Sequence, residues 1–510
     1  MRAARWVRQH SFALALLACY ALVNAMAALR FELWKDNAQA WLIARDAPLS
    51  QLFAQLRFEG HPFLWYILLM PFAKLGFPFE TIMAVSMAAM GIALWLFATR
   101  SPFSALTKAI GALSGGFLFY LPVNARSYSL APPLMMLTAH FYLGRHEKPV
   151  RYAVCLFFLA QIHVMLCALV GSLMLFWTME RVTLFKAQKV RTGASLASAG
   201  IMLAGVALLL PLLPGLSQNN ATSSIVPRGA AMPLWDGIKK MVYFMGDMGK
   251  ALTGFSAYIQ GHTAYAVTMA PVYLGVLCAA ALWFRLSPKT IGLFVVSMAW
   301  TAFVSIYIYP LYSRQRAMLL FCQLIFCAWI ALTGQAGAAG AAQAVWGHRF
   351  RKLINAMILS VAVCTFTVTY TDIAAVTNDA EFYSMSKTVS RFIRENLPAD
   401  AIIIADDEFN ASPVAAYLGK GRVYNPMRGN YQNFAILDGR AANWCAYGDL
   451  DALVSHLGGA AQGRLYYLAP SLNDSLVEQM DGRSHASLTE IGRWTYHYAY
   501  EQYCLYEIRD

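Results

Sequence analysis

The chain reads Leu33-Trp34-Lys35-Asp36-Asn37-Ala38-Gln39-Ala40-Trp41-Leu42-Ile43-Ala44-Arg45-Asp46 directly after its first long apolar run. This stretch places a carboxylate, two tryptophans and basic residues where the chain leaves the predicted bilayer. Tryptophan favours the membrane–water interface, and an amphipathic helix of mixed charge lies in that plane. We therefore predict an interfacial helix that holds Asp36 at the membrane surface. The alternative is a short solvated loop in which Asp36 pairs with Lys35 or Arg45.

The composition is typical of a membrane protein. Apolar residues make up 58% of the 510 residues and charged residues 13%, against roughly 25% charged residues in soluble domains. The formal net charge of +13 does not indicate nucleic-acid binding, because Lys and Arg lie mainly in short clusters between apolar runs, as in cytoplasmic loops. The nine cysteines show no CxxC metal spacing. Cys445 and Cys504 lie in the polar C-terminal part, where they either form a disulfide, if that part is exported, or remain free.

Eleven apolar runs are candidate membrane spans, each needing about 20 residues. The segment 61–77 is short and contains Pro71 and Lys74, so we place it in the outer interface. Lys and Arg then collect in loops on the side of the N-terminus, which makes that side cytoplasmic and the C-terminus external. The predicted spans are 11–29, 80–98, 105–122, 128–144, 151–162 extending toward 170, 164–180, 195–215, 264–284, 289–308, 317–333 and 353–371.

The chain is predicted to have two domains. Residues 1–375 form the membrane domain, with long outer loops at 30–79 and 216–262; the second loop is a flexible lid or a plain connector. Residues 376–510 form a soluble α/β domain with a largely parallel sheet. Asp406-Asp407-Glu408 follows its first strand, where ligands bind in such sheets, or forms a solvated acidic loop. Helices are predicted at 384–397, 412–418, 450–457 and 475–480, and strands at 401–405, 422–424, 434–437, 464–469 and 504–508.

Unusual polar residues near the span ends all fall on the outer side of this topology. Ionisable residues at membrane depth are costly and usually functional. Arg126 and Arg314 suit phosphate oxygens, Asp36 suits general base catalysis, and a histidine could orient a phosphate or the base. Each also has a plain structural explanation, such as a snorkelling arginine or a satisfied buried histidine. The set is Asp36; Glu59 with His61; Asn124 with Arg126 and Tyr128; His163; and Tyr312 with Arg314 and Arg316.

The order of these motifs resembles that of the GT-C membrane glycosyltransferases, especially the branch of protein O-mannosyltransferases and lipid A aminoarabinose transferases. The likeness covers about residues 1–330. It departs from the family pattern at Asn37, where the second of two acids often stands, and at Phe63, which replaces the second proline of a His-Pro-Pro element. The motifs are, in order, Lys35-Asp36-Asn37, Gly60-His61-Pro62-Phe63-Leu64-Trp65-Tyr66, Ala125-Arg126-Ser127-Tyr128, His163 and Tyr312-Ser313-Arg314.

The resemblance implies a polytopic α-helical membrane enzyme of GT-C-like fold with about eleven transmembrane helices. Such an enzyme transfers a hexose or pentose from a polyprenyl-phosphate donor to a glycan, lipid or protein, with inversion, at the outer face of the bacterial cytoplasmic (inner) membrane. Asp36 would be the general base. No cofactor is certain. A divalent metal remains an alternative that the motif does not support, because such a metal prefers clustered carboxylates and Asp36-Asn37 supplies a single carboxylate. Donor-phosphate and substrate contacts would come from Arg126, Arg314, His61, His163, Tyr128, Tyr312 and Glu59.

Two other classes of function remain as alternatives. A lipid-linked sugar transporter or flippase is expected to carry charges at mid-bilayer and paired repeats with broken helices. A non-catalytic envelope receptor or assembly subunit would use the outer domain as its binding module.

Overall fold

The computed structural model describes most of the chain. The loop 216–262, apart from 235–237, and Tyr312 lie outside the described residues. The described residues are 2–59, 61–187, 192–210, 212, 235–237, 278–307, 314–335, 347–363, 365, 384–431, 434–436, 443–458, 464–495 and 501–509.

The described N-terminal part is helical. Proline in the first turn begins two of its helices, at a position where the missing N–H has no intrahelical partner to lose. Residues 278–286 and 347–363 are also helical. The remaining helices are α1 (Arg2–Arg30), α2 (Lys35–Asp46), α3 (Leu49–Glu59), α4 (Leu64–Lys74), α5 (Thr81–Arg100), α6 (Ala105–Ala112), α7 (Ala131–Tyr142), α8 (Pro149–Ala160), α9 (Cys167–Lys186), α10 (Thr192–Ala207), α11 (Pro288–Tyr307) and α12 (Arg314–Gln335).

Four helices in the described part are long and apolar enough to cross a membrane. They are Arg5–Arg30, Thr81–Arg100, Val164–Lys186 and Pro288–Ser305. Their outer faces carry exposed apolar side chains, including Leu22, Ile92, Leu175 and Val295, and a soluble protein rarely leaves so much apolar surface to water. The protein is thus mainly helical, and its apolar helices are compatible with a membrane location.

Other predicted spans are shorter or broken in the structure. The helices α7 and α8 have 12 residues each, or about 18 Å. The segment 61–77, which was not a predicted span, contains the 11-residue helix α4. The run predicted at 105–122 is not one helix: α6 ends at Ala112, a π-helical turn covers Gly116–Tyr120, and an irregular turn reaches residue 126. The long run 152–179 turns near His163, as predicted, because this imidazole accepts the backbone N–H of Met165 (3.1 Å) and begins a new turn.

The helix α9 separates two groups of polar residues. His163 lies just before its start, and Glu180 lies near its end. Glu180 binds Arg145, His146 and Lys289 there. The helix has 20 residues, so its two ends are about 30 Å apart.

The C-terminal part is an α/β domain with a mixed sheet. The strand β1 (Ile402–Ala405) pairs in parallel with β2 (Val423–Tyr424) and β3 (Leu465–Pro470). The strand β5 (Tyr503–Arg509) pairs antiparallel with β3 and with β4 (Ser487–Trp494). The largely parallel sheet was therefore a wrong prediction. The sequence missed β4, whose residues are mostly exposed or half-buried, and residues 434–436 are not a strand. Cys445 and Cys504 are buried and free. The elements are α13 (Ser386–Asn396), β1 (Ile402–Ala405), α14 (Ser412–Leu418), β2 (Val423–Tyr424), α15 (Leu450–Gly458), β3 (Leu465–Pro470), α16 (Asp474–Asp481), β4 (Ser487–Trp494) and β5 (Tyr503–Arg509), in the sheet order β2-β1-β3-β5-β4.

The acidic stretch after β1 has a structural role. Asp406 is fully buried and accepts hydrogen bonds from the Tyr467 hydroxyl (2.7 Å) and the Asn473 amide (2.6 Å). Glu408 forms a partly buried ion pair with Arg428 (2.8 Å). Donors of the chain itself satisfy these carboxylates, so they tie loops to the sheet. The solvated-loop interpretation is therefore wrong for this stretch.

The C-terminal domain packs directly against the start of α2. The Tyr417 hydroxyl accepts the Leu33 N–H (3.3 Å), and the Glu501 carboxylate accepts the Lys35 N–H (2.8 Å). The Lys35 ammonium donates to the Asn410 side chain (3.1 Å). One hydrophobic core runs through both parts of the protein. The helix α2 is therefore not an amphipathic helix on a surface: residues 37–45 are buried, because the C-terminal domain covers the side that the prediction left to solvent.

Two buried carboxylates should make this packing sensitive to pH. Burial raises the pKa of Glu501 and the pKa of Glu32 from 4.5 to about 7. Between pH 4.5 and 7 these two carboxyl groups therefore hold more protons in the folded protein than in the unfolded chain, so their contribution to stability falls as pH rises through that window. We expect the thermal unfolding midpoint of the wild type, followed by tryptophan fluorescence, to fall by several degrees relative to that of Glu501→Gln between pH 5 and pH 8. A difference between the two midpoints that does not change with pH would contradict the expectation.

Candidate active site

Asp36 lies in the first turn of α2 and forms an ion pair with Arg126, from the turn before α7. The pair is partly open, with the Asp36 side chain 27% exposed. Burial raises the pKa of Asp36. The charge and hydrogen bond of Arg126, together with the charge of Arg316, lower this pKa by more than burial raises it, so the net shift is downward from 3.8. Asp36 is therefore ionised at neutral pH. Lys35 and Arg45, its alternative partners in the sequence, bond to other residues.

A strained turn places Arg126. Ala125 has φ 48°, in the left-handed region that residues other than glycine rarely adopt. The Asn37 side chain holds this turn, because its amide nitrogen donates to the carbonyls of Asn124 (2.6 Å) and Ala125 (3.1 Å). Its amide oxygen accepts a backbone N–H at the start of α2 (3.2 Å). An amide can donate and accept in this way, whereas a carboxylate cannot donate. Asn37, which stands where the family motif often has a second acid, thus fixes the turn that positions Arg126 beside Asp36.

Three further segments reach the same cluster. The Tyr128 hydroxyl oxygen accepts a hydrogen bond from Nε of Arg316 (3.2 Å). The centroid of the Tyr128 ring lies 5.0 Å from that of His163 and 6.2 Å from that of His61, and the two imidazole centroids are 5.1 Å apart. The guanidinium of Arg126 lies 5.8 Å from the centroid of the same tyrosine ring. Residues from five separate segments therefore meet around one carboxylate.

Glu59 lies beside this cluster, but its carboxylate is occupied. One oxygen accepts from Gln39 (2.8 Å) and Gln55 (2.9 Å), and the other from Tyr66 (3.4 Å). Both glutamines also donate to the carbonyl of Ala435. Burial raises the pKa of Glu59, although the hydrogen bonds from the glutamines oppose the shift. Glu59 therefore binds the two glutamines that link α2 and α3 to the C-terminal domain, a role that its position in the sequence does not reveal.

Arg316 is the arginine that α12 brings to the cluster. Arg314 begins this helix, but its side chain, like all of Tyr312, lies outside the described part. Arg316 is one of the polar residues near the predicted span ends, but the sequence assigns phosphate binding to Arg126 and Arg314. Successive residues of a helix point in different directions, 3.6 to a turn. A Tyr-x-Arg motif therefore cannot determine which nearby arginine contacts Tyr128.

Among the described residues, no group of three or more His, Cys, Asp or Glu side chains could hold a metal ion. No protein-family model matches this chain, and no curated protein matches it either. The resemblance to GT-C glycosyltransferases therefore rests on the motifs quoted above.

Removing the Tyr128 hydroxyl tests its contact with Arg316. Tyr128→Phe keeps the ring and deletes the oxygen that accepts from the guanidinium, and a lost hydrogen bond to a charged group costs about 1.5–3 kcal/mol. We expect a lower thermal unfolding midpoint in detergent. Tyr152→Phe is the matched control, because the Tyr152 hydroxyl is buried without a hydrogen-bond partner in the described chain. That control should be neutral or stabilising; equal losses in both variants would contradict the assigned contact.

Proposed function

We propose that this protein transfers a sugar from a polyprenyl-phosphate donor to an acceptor hydroxyl or amine, with inversion at the anomeric carbon. The convergence of one ionised carboxylate, two arginines and two histidines carries the proposal. Arg126 and Arg316 supply fixed positive charge for the donor phosphate. Asp36 supplies the proton acceptor. The set needs no metal to balance the phosphate charge.

The ion pair between Asp36 and Arg126 suggests how donor binding could activate the base. A donor phosphate competes for the Arg126 guanidinium, and the carboxylate then loses the contact that lowers its pKa. Asp36 takes the proton of the acceptor as the acceptor oxygen or nitrogen bonds to the anomeric carbon. The bond from that carbon to the phosphate oxygen breaks, and its electron pair leaves with the polyprenyl phosphate. The two guanidiniums stabilise the charge that develops there.

The proposal includes eleven spans in a bacterial inner membrane, a cytoplasmic N-terminus, and an external site and C-terminal domain. The two ends of α9 support this orientation. Arg145 and Lys289 gather around Glu180 at one end, and the cluster around Asp36 lies at the other. Basic residues favour the cytoplasmic side, which leaves the Asp36 cluster on the outer side.

Mass spectrometry of a deletion strain tests the proposal. We expect one sugar to be missing from the envelope glycans, glycolipids or glycoproteins, and to return when the wild-type chain is expressed. The same missing product would identify both donor sugar and acceptor. An unchanged profile of all three fractions would refute sugar transfer.

An enzyme can be distinguished from a receptor or assembly subunit by a substitution at Asp36 but not by deletion of the C-terminal domain. Deleting the domain removes Tyr417, Asn410 and Glu501 from the start of α2, so it would disable either kind of protein. A substitution at Asp36 is more informative, because a subunit without chemistry should tolerate Asp36→Asn. If the protein is a transporter or flippase, the donor lipid should instead remain on the inner leaflet in the deletion strain.

A further inference from the structure

The two histidines of the cluster carry their protons on different nitrogens. Nδ1 of His61 lies 2.7 Å from the carbonyl oxygen of Glu59, and a carbonyl oxygen only accepts, so this nitrogen carries a proton. Nδ1 of His163 accepts the backbone N–H of Met165 (3.1 Å), so this nitrogen is bare. The proton of the His163 ring is therefore on Nε2.

His61 is neutral at physiological pH. Burial lowers the pKa of His61, and the charges of Arg126 and Arg316 lower it further, to about 4, against the opposing effects of the Glu59 carbonyl and the Asp36 charge. With the proton on Nδ1, Nε2 of His61 presents a lone pair. The two Nε2 atoms thus have opposite hydrogen-bonding polarity: that of His61 accepts, and that of His163 donates.

Nε2 of His61 is buried and has no hydrogen-bond partner within the described part of the chain. Buried polar atoms are almost always hydrogen-bonded, and a buried acceptor without a hydrogen bond lowers the stability of the protein. The atom belongs to the cluster, because its ring lies 5.1 Å from His163 and 6.2 Å from Tyr128 between centroids. An unsatisfied acceptor in this place indicates a ligand group that brings its own O–H or N–H.

We propose that His61 and His163 together recognise a hydroxyl group of a bound ligand, which donates to Nε2 of His61 and accepts from Nε2–H of His163. A phosphodiester oxygen does not fit, because it carries no hydrogen and its lone pairs repel that of His61. An ammonium group does not fit, because it cannot accept from His163. A hydroxyl does both. The inference rests on the proposed function for the identity of the ligand, a sugar or an acceptor alcohol, and it leaves the phosphate to the arginines.

Paired substitutions separate the two nitrogens of each ring. Asparagine can replace the Nδ1 contact with the backbone but does not reach Nε2, whereas glutamine reaches the Nε2 position and loses the backbone contact. We expect His61→Asn and His163→Asn to reduce sugar incorporation about 10- to 100-fold, and the corresponding glutamine variants to retain more activity. The assay adds purified protein in nanodiscs to membranes of the deletion strain, which contain both unused substrates.

The outcomes distinguish this inference from the proposed function. If wild-type protein adds no sugar to these membranes, the proposed function fails. If wild type is active and the asparagine variants match or exceed the glutamine variants, the histidines serve only their backbone contacts, and the inference is overturned.

A second measurement uses the wild type alone and so does not depend on how the variants fold. Protein labelled with ¹⁵N-histidine is followed by NMR while a lipid extract of the deletion strain is added. We expect the Nε2 signal of His61 to shift but stay unprotonated, and His163 to keep its Nε2 proton. Protonation of His61 on binding would place a phosphate at this nitrogen, and an unchanged signal would leave it without a ligand; either result overturns the inference.

Discussion

Asp36→Asn should abolish sugar transfer and leave the protein folded. Asparagine has nearly the same shape as aspartate, and its oxygen can still accept a hydrogen bond from Arg126, but it cannot take a proton from the acceptor. General base catalysis contributes about 10²–10⁴-fold to a rate, so incorporation into deletion-strain membranes should fall by that factor. In the strain itself, the variant should accumulate normally and fail to restore the missing sugar.

Asp46→Asn is the matched control for this substitution. Asp46 ends the same helix, is 15% exposed and also pairs with an arginine, Arg45 (2.8 Å). Its loss removes a carboxylate and an ion pair from α2 at the end away from the cluster. We expect full transfer in this variant. If Asp36→Asn were as active as Asp46→Asn, Asp36 would not be the base.

Asn37→Asp should be the most damaging conservative change in the cluster. The family resemblance leads to the opposite expectation, because it would restore the second acid of the motif. In the structure, however, the Asn37 amide is fully buried and donates to the carbonyls of Asn124 and Ala125. A carboxylate there would face two carbonyl oxygens with no proton to offer. An unpaired buried charge costs about 3–5 kcal/mol, so we expect a large loss of thermal stability together with loss of transfer.

Asn410→Asp is the matched control for Asn37→Asp. It makes the same chemical change at a side chain that accepts a hydrogen bond, whereas the Asn37 amide donates. The Asn410 oxygen accepts from the Lys35 ammonium, and a carboxylate satisfies that donor at least as well. This variant should keep its stability.

Ala125→Gly, which removes the side chain from a residue at φ 48°, should partly rescue Asn37→Asp, because glycine adopts this conformation without strain. Unimpaired stability in Asn37→Asp would mean that the amide does not hold the turn.

The sequence predicts that polar residues near the ends of the predicted spans share one site, but not how they are paired. The structure brings Asp36, His61, Arg126 and His163 together as predicted, whereas the arginine on Tyr128 is Arg316 and not the predicted Arg314. Their hydrogen-bonding states depend on single backbone atoms, such as the carbonyl that fixes the proton of His61. No periodicity in the sequence carries that information.

Contacts between distant parts of the chain were also beyond the sequence. Gln39 bonds to Ala435 across 396 residues, and neither residue belongs to a motif. The acidic stretch beginning at Asp406 looks solvated by composition alone, yet tertiary donors bury it. The strand β4 was missed for a related reason: it pairs at an edge of the sheet and buries little apolar surface.

The contact between the C-terminal domain and α2 can form only late in synthesis of the chain. Lys35 and its partner Glu501 are 466 residues apart, which at about 5–20 residues per second is roughly 20–90 s of translation. Throughout that interval α2 lacks the contacts with the C-terminal residues that cover its start in the finished fold. Glu501 is synthesised long after the last cluster residue, Arg316, so a chain interrupted between these two positions carries every residue of the cluster but lacks the contact of Glu501 with α2.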